Sequence, residues 1–295
     1  MEQLIQFAIS VLSLGGTYAL LALGLATVFG LLGFLNFAHG DLMTVCGYGL
    51  FFMLAAGVPF PVAVLFAVAL AGFAAVAMER IAFRPLRGRS PMSLLITSFA
   101  ISLALHVSFQ IFISPKSKPI PIPSYFSGYM TFGDVFISKA QVMSIIISFA
   151  TLFGLNAFIT KTRIGIALRA AASDFTVARS MGINANKMIM LAFGLSGVLA
   201  GVAAVIWIAQ RGAVFPAMGL TPMVKALIAV IIGGLSNPKG ALYGGFLLGL
   251  LEASFLYILP DQYVIYRDAA VLLTLIAFLM MRPNGIIATN AEPMR

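Results

Sequence analysis

Apolar residues run along this chain in long continuous blocks, separated by short polar or glycine-rich breaks, without the strict alternation of a half-buried strand. A helix needs about 20 residues, rising 1.5 Å each, to cross about 30 Å of hydrocarbon. Blocks near that length fall at Ile5 to Leu32, Leu42 to Ala56, Val62 to Met78, Ser93 to Ile113, Val142 to Ile159, Met188 to Ala209, Met223 to Leu235, Leu242 to Leu259 and Ala269 to Met281. The pattern predicts an all-α, polytopic transmembrane helix bundle with about 8–9 spans. The block from Met223 to Leu235 would be only about 20 Å long as a helix, so it is either a crossing or a half-helix. Continuous runs point to helices rather than barrel strands.

Two breaks stand out: Leu35-Asn36-Phe37-Ala38-His39-Gly40-Asp41 and Gly233-Gly234-Leu235-Ser236-Asn237-Pro238-Lys239-Gly240. Each lies between apolar blocks and precedes a glycine-studded one, which suggests a weak internal repeat. Paired interrupted segments point to a transport path, because freed backbone groups at membrane depth must be satisfied by protein or water. Ordinary interfacial turns would give the same pattern.

Composition fixes the solvent. Of 295 residues 61% are apolar and 9% charged, against roughly 25% charged in an ordinary soluble domain. Lipid therefore surrounds the chain, and residues 1–295 read as a single transmembrane domain. The net charge of +9 is dispersed over short connections. It predicts no nucleic-acid partner and instead sets topology. Arg80, Arg84, Arg87 and Arg89 crowd one connection, Lys161, Arg163, Arg169, Arg179 and Lys187 another, and Arg282 and Arg295 the tail. Excess Lys and Arg mark the cytoplasmic side. By parity the segment from Ser114 to Gln141, extended by Pro115, Pro119, Pro121 and Pro123, is external. If all nine blocks cross, the N-terminus is outside and the C-terminus inside; if the block from Met223 to Leu235 is a half-helix, eight full crossings remain. Met1 to Gln6 carry no Lys or Arg ahead of the first block, so the N-terminus is read as that of the mature protein. Cys46 is the only cysteine, which excludes an intrachain disulfide and leaves it a packing role.

Polar groups inside apolar blocks are the candidates for function. His39 and Asp41 are functional if they lie within the hydrocarbon and only helix caps if they lie at its edge. Lys225 and Glu252 flank the second break at depths only about 6–8 Å apart in antiparallel helices, so they form a buried charge pair unless each snorkels to opposite interfaces. His106 reads as a hydrogen-bonded packing residue. Gly197 and Gly201 make a small-xxx-small step for close helix approach. No nucleophilic or metal constellation and no phosphate-binding loop is present, so the chain is not read as an enzyme.

The longest cytoplasmic connection, residues 161–187, has Leu168, Ala172, Phe175, Ala178 and Met181 at helical spacing before Gly182. It predicts a short amphipathic helix over Ile166 to Met181, either an interfacial linker or a docking surface.

Six ordered blocks carry a family resemblance: Asn36 to Leu42, Arg84-Pro-Leu-Arg87, Thr162-Arg-Ile-Gly165 with Arg169, Asp174 and Gly182, Lys225-Ala226 leading into Gly233-Gly234, Gly240 through Gly245 to Glu252, and Arg282-Pro283. Over nearly its full length the chain resembles the permease subunits of branched-chain amino acid ABC transporters. The resemblance implies a cytoplasmic (inner) membrane location and a dimer with a homologous second permease or a second copy. It further implies two cytoplasmic ATPase subunits that bind the ATP, an external solute-binding protein, and no cofactor in this chain. It implies a coupling loop, with Arg163, Gly165, Arg169, Asp174, Ala178 and Gly182 facing the ATPase, although Thr176-Val177-Ala178 stands where importers carry Glu-Ala-Ala. Asn36, Ala38, His39, Gly40, Asp41, Gly233, Gly234 and Asn237 would line the translocation path. A rival reading is a secondary carrier or channel that uses Lys225 and Glu252 for ion coupling.

Overall fold

The computed structural model describes residues 2–124, 126–132, 135–235, 237–282 and 285–287; Met1, Ser236, Pro283 and Arg295, named above, lie outside them. Every apolar block forms a helix. The helices are α1 (Glu2–Leu32), α2 (His39–Ala55), α3 (Phe60–Met78), α4 (Pro91–Phe112), α5 (Lys139–Lys161), α6 (Arg163–Ser173), α7 (Phe175–Ser180), α8 (Ala185–Arg211), α9 (Leu220–Gly233), α10 (Pro238–Ile258) and α11 (Arg267–Met281). A π turn over Glu79–Phe83 and a 3-10 turn over Arg84–Leu86 prolong α3.

Among the described residues seven helices are long and apolar enough to cross a membrane: α1, α3, α4, α5, α8, α10 and α11 with its preceding 3-10 turn. The remaining two are short, α2 with 17 residues and α9 with 14. The expected 8–9 spans thus become seven long helices and two short ones. Both short helices are largely buried, which is why they need not reach both faces of the bilayer.

The proline-rich segment holds β1 (Lys118–Pro119) and an antiparallel hairpin of β2 (Tyr129–Phe132) and β3 (Val135–Ser138); β1 pairs antiparallel with β4 (Ala213–Val214) after α8. These strands tie the α4–α5 connection to the end of α8.

Lipid tails are as apolar as leucine, so burial of grease does not hold such helices together; close packing does. α1 runs through the middle, with Tyr18 to Ala22 wholly buried. Gly245 and Gly249 of α10 lie on the α1 backbone at Ala19 and Gly15, and this descending register makes the two helices antiparallel. From the other face of α10, Gly240 and Gly244 receive Gly233 and Ala229 of α9. Gly197 and Gly201 of α8 play the same part against Val68, Ala71 and Ala75 of α3.

An added Cβ at Gly245 would stand 2.5 Å from the Ala19 backbone, whereas at Gly30 it would meet nothing within 4 Å. Gly245→Val is therefore expected to destabilise by at least the upper end of the about 1–3 kcal/mol typical of overpacking, and Gly30→Val to be tolerated. Monodispersity and melting of the two detergent-purified variants check this; equal behaviour would contradict the packing.

Around this centre α4 and α11 attach sparingly. The described buried residues of α4 are Leu94, Ser98 and Ser102, and those of α11 are Val271 and Leu275.

Candidate functional site

The first break is built by its own side chains. Asn36 accepts the Ala38 amide on Oδ1 at 3.1 Å, and its carbonyl accepts the His39 amide at 3.2 Å, which turns the chain from α1 into α2. Ala38 occupies the N-cap with no side-chain capping bond. His39 and Asp41 are therefore not caps. His39 Nδ1 lies 2.9 Å from Ser196 Oγ on α8. Asp41 Oδ1 lies 2.8 Å from His106 Nε2 on α4. Both are buried, Asp41 at 2% exposure.

Helix geometry gives their depth. Ser102 and His106 lie about 17 and 23 Å along α4 from Pro91, on a helix about 33 Å long. Asp41, which faces them, is thus within the hydrocarbon rather than at its edge. The break itself contacts α4 one turn nearer Pro91: the Phe37 amide donates to Ser98 Oγ at 3.2 Å, and Ser98 Oγ–H donates to the Leu35 carbonyl at 3.4 Å.

Gly40 meets the start of α9, where an added Cβ would lie 2.6 Å from the Gly219 carbonyl oxygen and 2.6 Å from Met223 Cβ. The second break lies at the opposite end of that helix, about 20 Å away at helical rise. There Gly233 packs on Gly240, Gly234 takes φ +110°, and Asn237 Oδ1 accepts the Lys239 amide at 2.9 Å. The carbonyls of Ile232 and Gly233 accept amides from Ile286 and Ile287 at 2.7 and 3.4 Å. The eight residues expected to line one path therefore fall in two groups, Asn36 to Asp41 at one end of α9 and Gly233 to Asn237 at the other.

Lys225 and Glu252 meet. Lys225 Nζ is 3.0 Å from Glu252 Oε1 and 3.0 Å from Asp268 Oδ1, and Arg267 lies 3.1 Å from the same Glu252 oxygen. Tyr18 O–H donates to Glu252 Oε2 at 2.5 Å. Two cations and two carboxylates make a network with no net charge, which offsets much of the desolvation of each. Tyr18, Arg267 and Asp268 were not foreseen. The last two read from sequence as the polar flank of an apolar block, and Tyr18 carries no local signal.

In the connection over residues 161–187 the expected single helix over Ile166 to Met181 is two. Asp174 takes extended φ −150°, ψ 111°, and its Oδ1 accepts the Val177 amide at 2.9 Å, so its side chain ends α6 and starts α7. Thr162 caps α6 by accepting the Gly165 amide at 3.0 Å. Gly165 lies on the backbone of Phe158 and Ile159, which fixes α6 against α5. Gly182 takes φ +83°. Leu168 and Ala178 are buried, whereas Ile164, Ile166, Val177 and Met181 are exposed, Met181 at 76%. Arg163 and Arg169 are exposed as well. Nearby, Arg87 pairs with buried Glu79 and donates to Asn186 Oδ1 at 2.6 Å, joining the α3–α4 connection to the start of α8. Burial lowers the Arg87 guanidinium pKa below the usual arginine range, and the Glu79 carboxylate opposes that shift.

A glycine-packed helical bundle with polar groups at mid-depth, two broken segments and an amphipathic surface loop defines a polytopic membrane protein of the transporter class. The chain belongs to the family described as branched-chain amino acid transport system / permease component, which it matches over residues 7–281. It is 35% identical to the high-affinity branched-chain amino acid transport system permease protein BraD of Pseudomonas aeruginosa, over 96% of this chain and 95% of that one. It is 31% identical to the LivH permease protein of the corresponding Escherichia coli K12 system, over 93% and 92%. The probable LivH of Methanocaldococcus jannaschii is 30% identical over 94% and 90%.

Proposed function

We propose that this chain is the membrane-spanning permease subunit of an ATP-driven importer for branched-chain amino acids or related small polar solutes in the cytoplasmic (inner) membrane. The observation that carries this reading is the family match over residues 7–281. In this reading the C-terminus is cytoplasmic and the N-terminus external. A homologous permease or a second copy completes the path, two cytoplasmic ATPase subunits bind the ATP, and an external binding protein delivers the solute. The α6–α7 segment, with Arg163, Gly165, Arg169, Asp174, Ala178 and Gly182, docks on an ATPase. Its exposed Ile164, Ile166, Val177 and Met181, rimmed by arginines, suit a protein partner. Asn36 to Asp41 and Gly233 to Asn237 border the path, and hydrolysis tilts the helices around them.

The charge network at Lys225 favours a second reading, a carrier that couples ions to solute. In native membranes, affinity purification through this chain is expected to recover ATPase subunits. Proteoliposomes holding the recovered complex should accumulate leucine only with ATP. Uphill uptake by the chain without an ATPase partner would overturn the importer reading in favour of the carrier.

A further inference from the structure

One face of α2 carries three polar atoms with no hydrogen-bond partner. They are Asp41 Oδ2, Thr44 Oγ1 and Tyr48 O–H, on residues exposed by 2%, 0% and 3%; the Asp41 carboxylate otherwise meets His106 and a hydrogen bond from the Ser102 hydroxyl, both on α4. Spaced i, i+3 and i+7, they share one stripe of the helix. That stripe faces α4, since Asp41 reaches His106 and the Tyr48 ring lies 5.2 Å from the Phe109 ring. Native chains leave few buried polar groups unpaired, and a run of them on one stripe at membrane depth calls for an occupant. The facing helix is sparingly held, because its stripe of Leu94, Ser98 and Ser102 offers two hydroxyls and a single large apolar side chain to the bundle. α1, α8, α9 and α10, by contrast, are locked backbone to backbone through glycines.

We propose that the seam between α2 and α4 is the solute's binding site during crossing. The ammonium group of an α-amino acid sits on Asp41 Oδ2 with the Thr44 hydroxyl, one turn on, as a second acceptor; the Tyr48 hydroxyl, a further turn away, faces the rest of the solute, and α4 is the wall that moves. An ammonium matches the site because the free acceptor is a carboxylate oxygen. The aromatic pairs Phe37–Phe99 and Tyr48–Phe109, which flank the stripe, suit an aliphatic side chain. The inference rests on the amino-acid importer reading and extends it to a residue that recognises the solute.

The test uses the whole transport complex in membrane vesicles, with Cys46→Ala as background and Thr44→Cys as the probe. Two thiol reagents are compared, a methanethiosulfonate bearing ethylammonium and one bearing ethylsulfonate. The cationic reagent is expected to react about tenfold faster, the preference to vanish with Asp41→Asn, and millimolar L-leucine to slow labelling. Ser102→Cys, on the opposite wall, should behave alike and serves if Thr44→Cys does not fold. Absence of labelling at both positions in every nucleotide state, in complexes that assemble and hydrolyse ATP, overturns the seam as a site. Labelling that ignores both charge and leucine in such complexes overturns Asp41 as the ammonium acceptor. Leucine uptake by the unaltered complex is measured alongside, so a wrong cargo assignment shows there and leaves the charge preference at Thr44→Cys standing.

Discussion

Lys225→Glu is expected to leave little folded protein in the membrane. It would place three carboxylates, at positions 225, 252 and 268, around the single guanidinium of Arg267, where the structure now has two of each sign. Breaking a buried pair costs about 3–5 kcal/mol, a large share of the roughly 5–15 kcal/mol that holds a domain together. Glu252→Lys should do the same by the opposite imbalance. The double exchange restores the count but not the contacts, since residue 225 would still face Asp268 and residue 252 would still face Arg267 with like charge. Its detergent melting temperature should therefore lie above both single variants and below the unaltered protein. Strict additivity of the two effects would show that the pair does not interact.

The second large effect belongs to the α6–α7 loop and appears in coupling rather than folding. Asp174→Lys and Gly182→Trp should leave ATP hydrolysis by the assembled complex running while solute uptake falls about tenfold or more, a loss of at least 1.4 kcal/mol in transport coupling. Each change also has a local cost. Lysine removes the α7 cap, about 1 kcal/mol, and a tryptophan at φ +83° strains the backbone by about 1–2 kcal/mol. Asp174→Asn separates the two, because it keeps the capping oxygen and discards the charge. Should Asp174→Asn lose uptake as Asp174→Lys does, the carboxylate charge itself serves docking; should it transport normally, the lysine effect comes from the lost cap or the added positive charge. Unaltered uptake in Asp174→Lys and Gly182→Trp together would remove the loop from the mechanism.

The positions of the helices could be read from the chain because lipid sets a minimum length and punishes polar interruption. The meeting of Lys225 with Glu252 was legible for a related reason: counting residues outward from a turn measures depth in an antiparallel pair. What escaped notice depends on contacts between segments distant in sequence. Ser98 and Ser102 look like tolerated small polar residues in an apolar block, and only the neighbouring α2 makes them a stripe. His106 reads as an isolated packing histidine until Asp41 is set beside it. Arg267 and Asp268 lie at the start of a helix, where polar residues need no explanation. The division at Asp174 was hidden because apolar spacing of a helical kind continues past it, while a single side chain captures an amide and starts a new helix.

The three residues Gly285 to Ile287 lie against the finishing turn of α9, and two of their amides serve its carbonyls. The last carbonyls of a helix have no partner of their own within it, so this stretch closes the end of α9. Gly285, Ile286 and Ile287 are therefore part of the folded body, and shortening the chain at Arg282 would take away the two amides that close the end of α9.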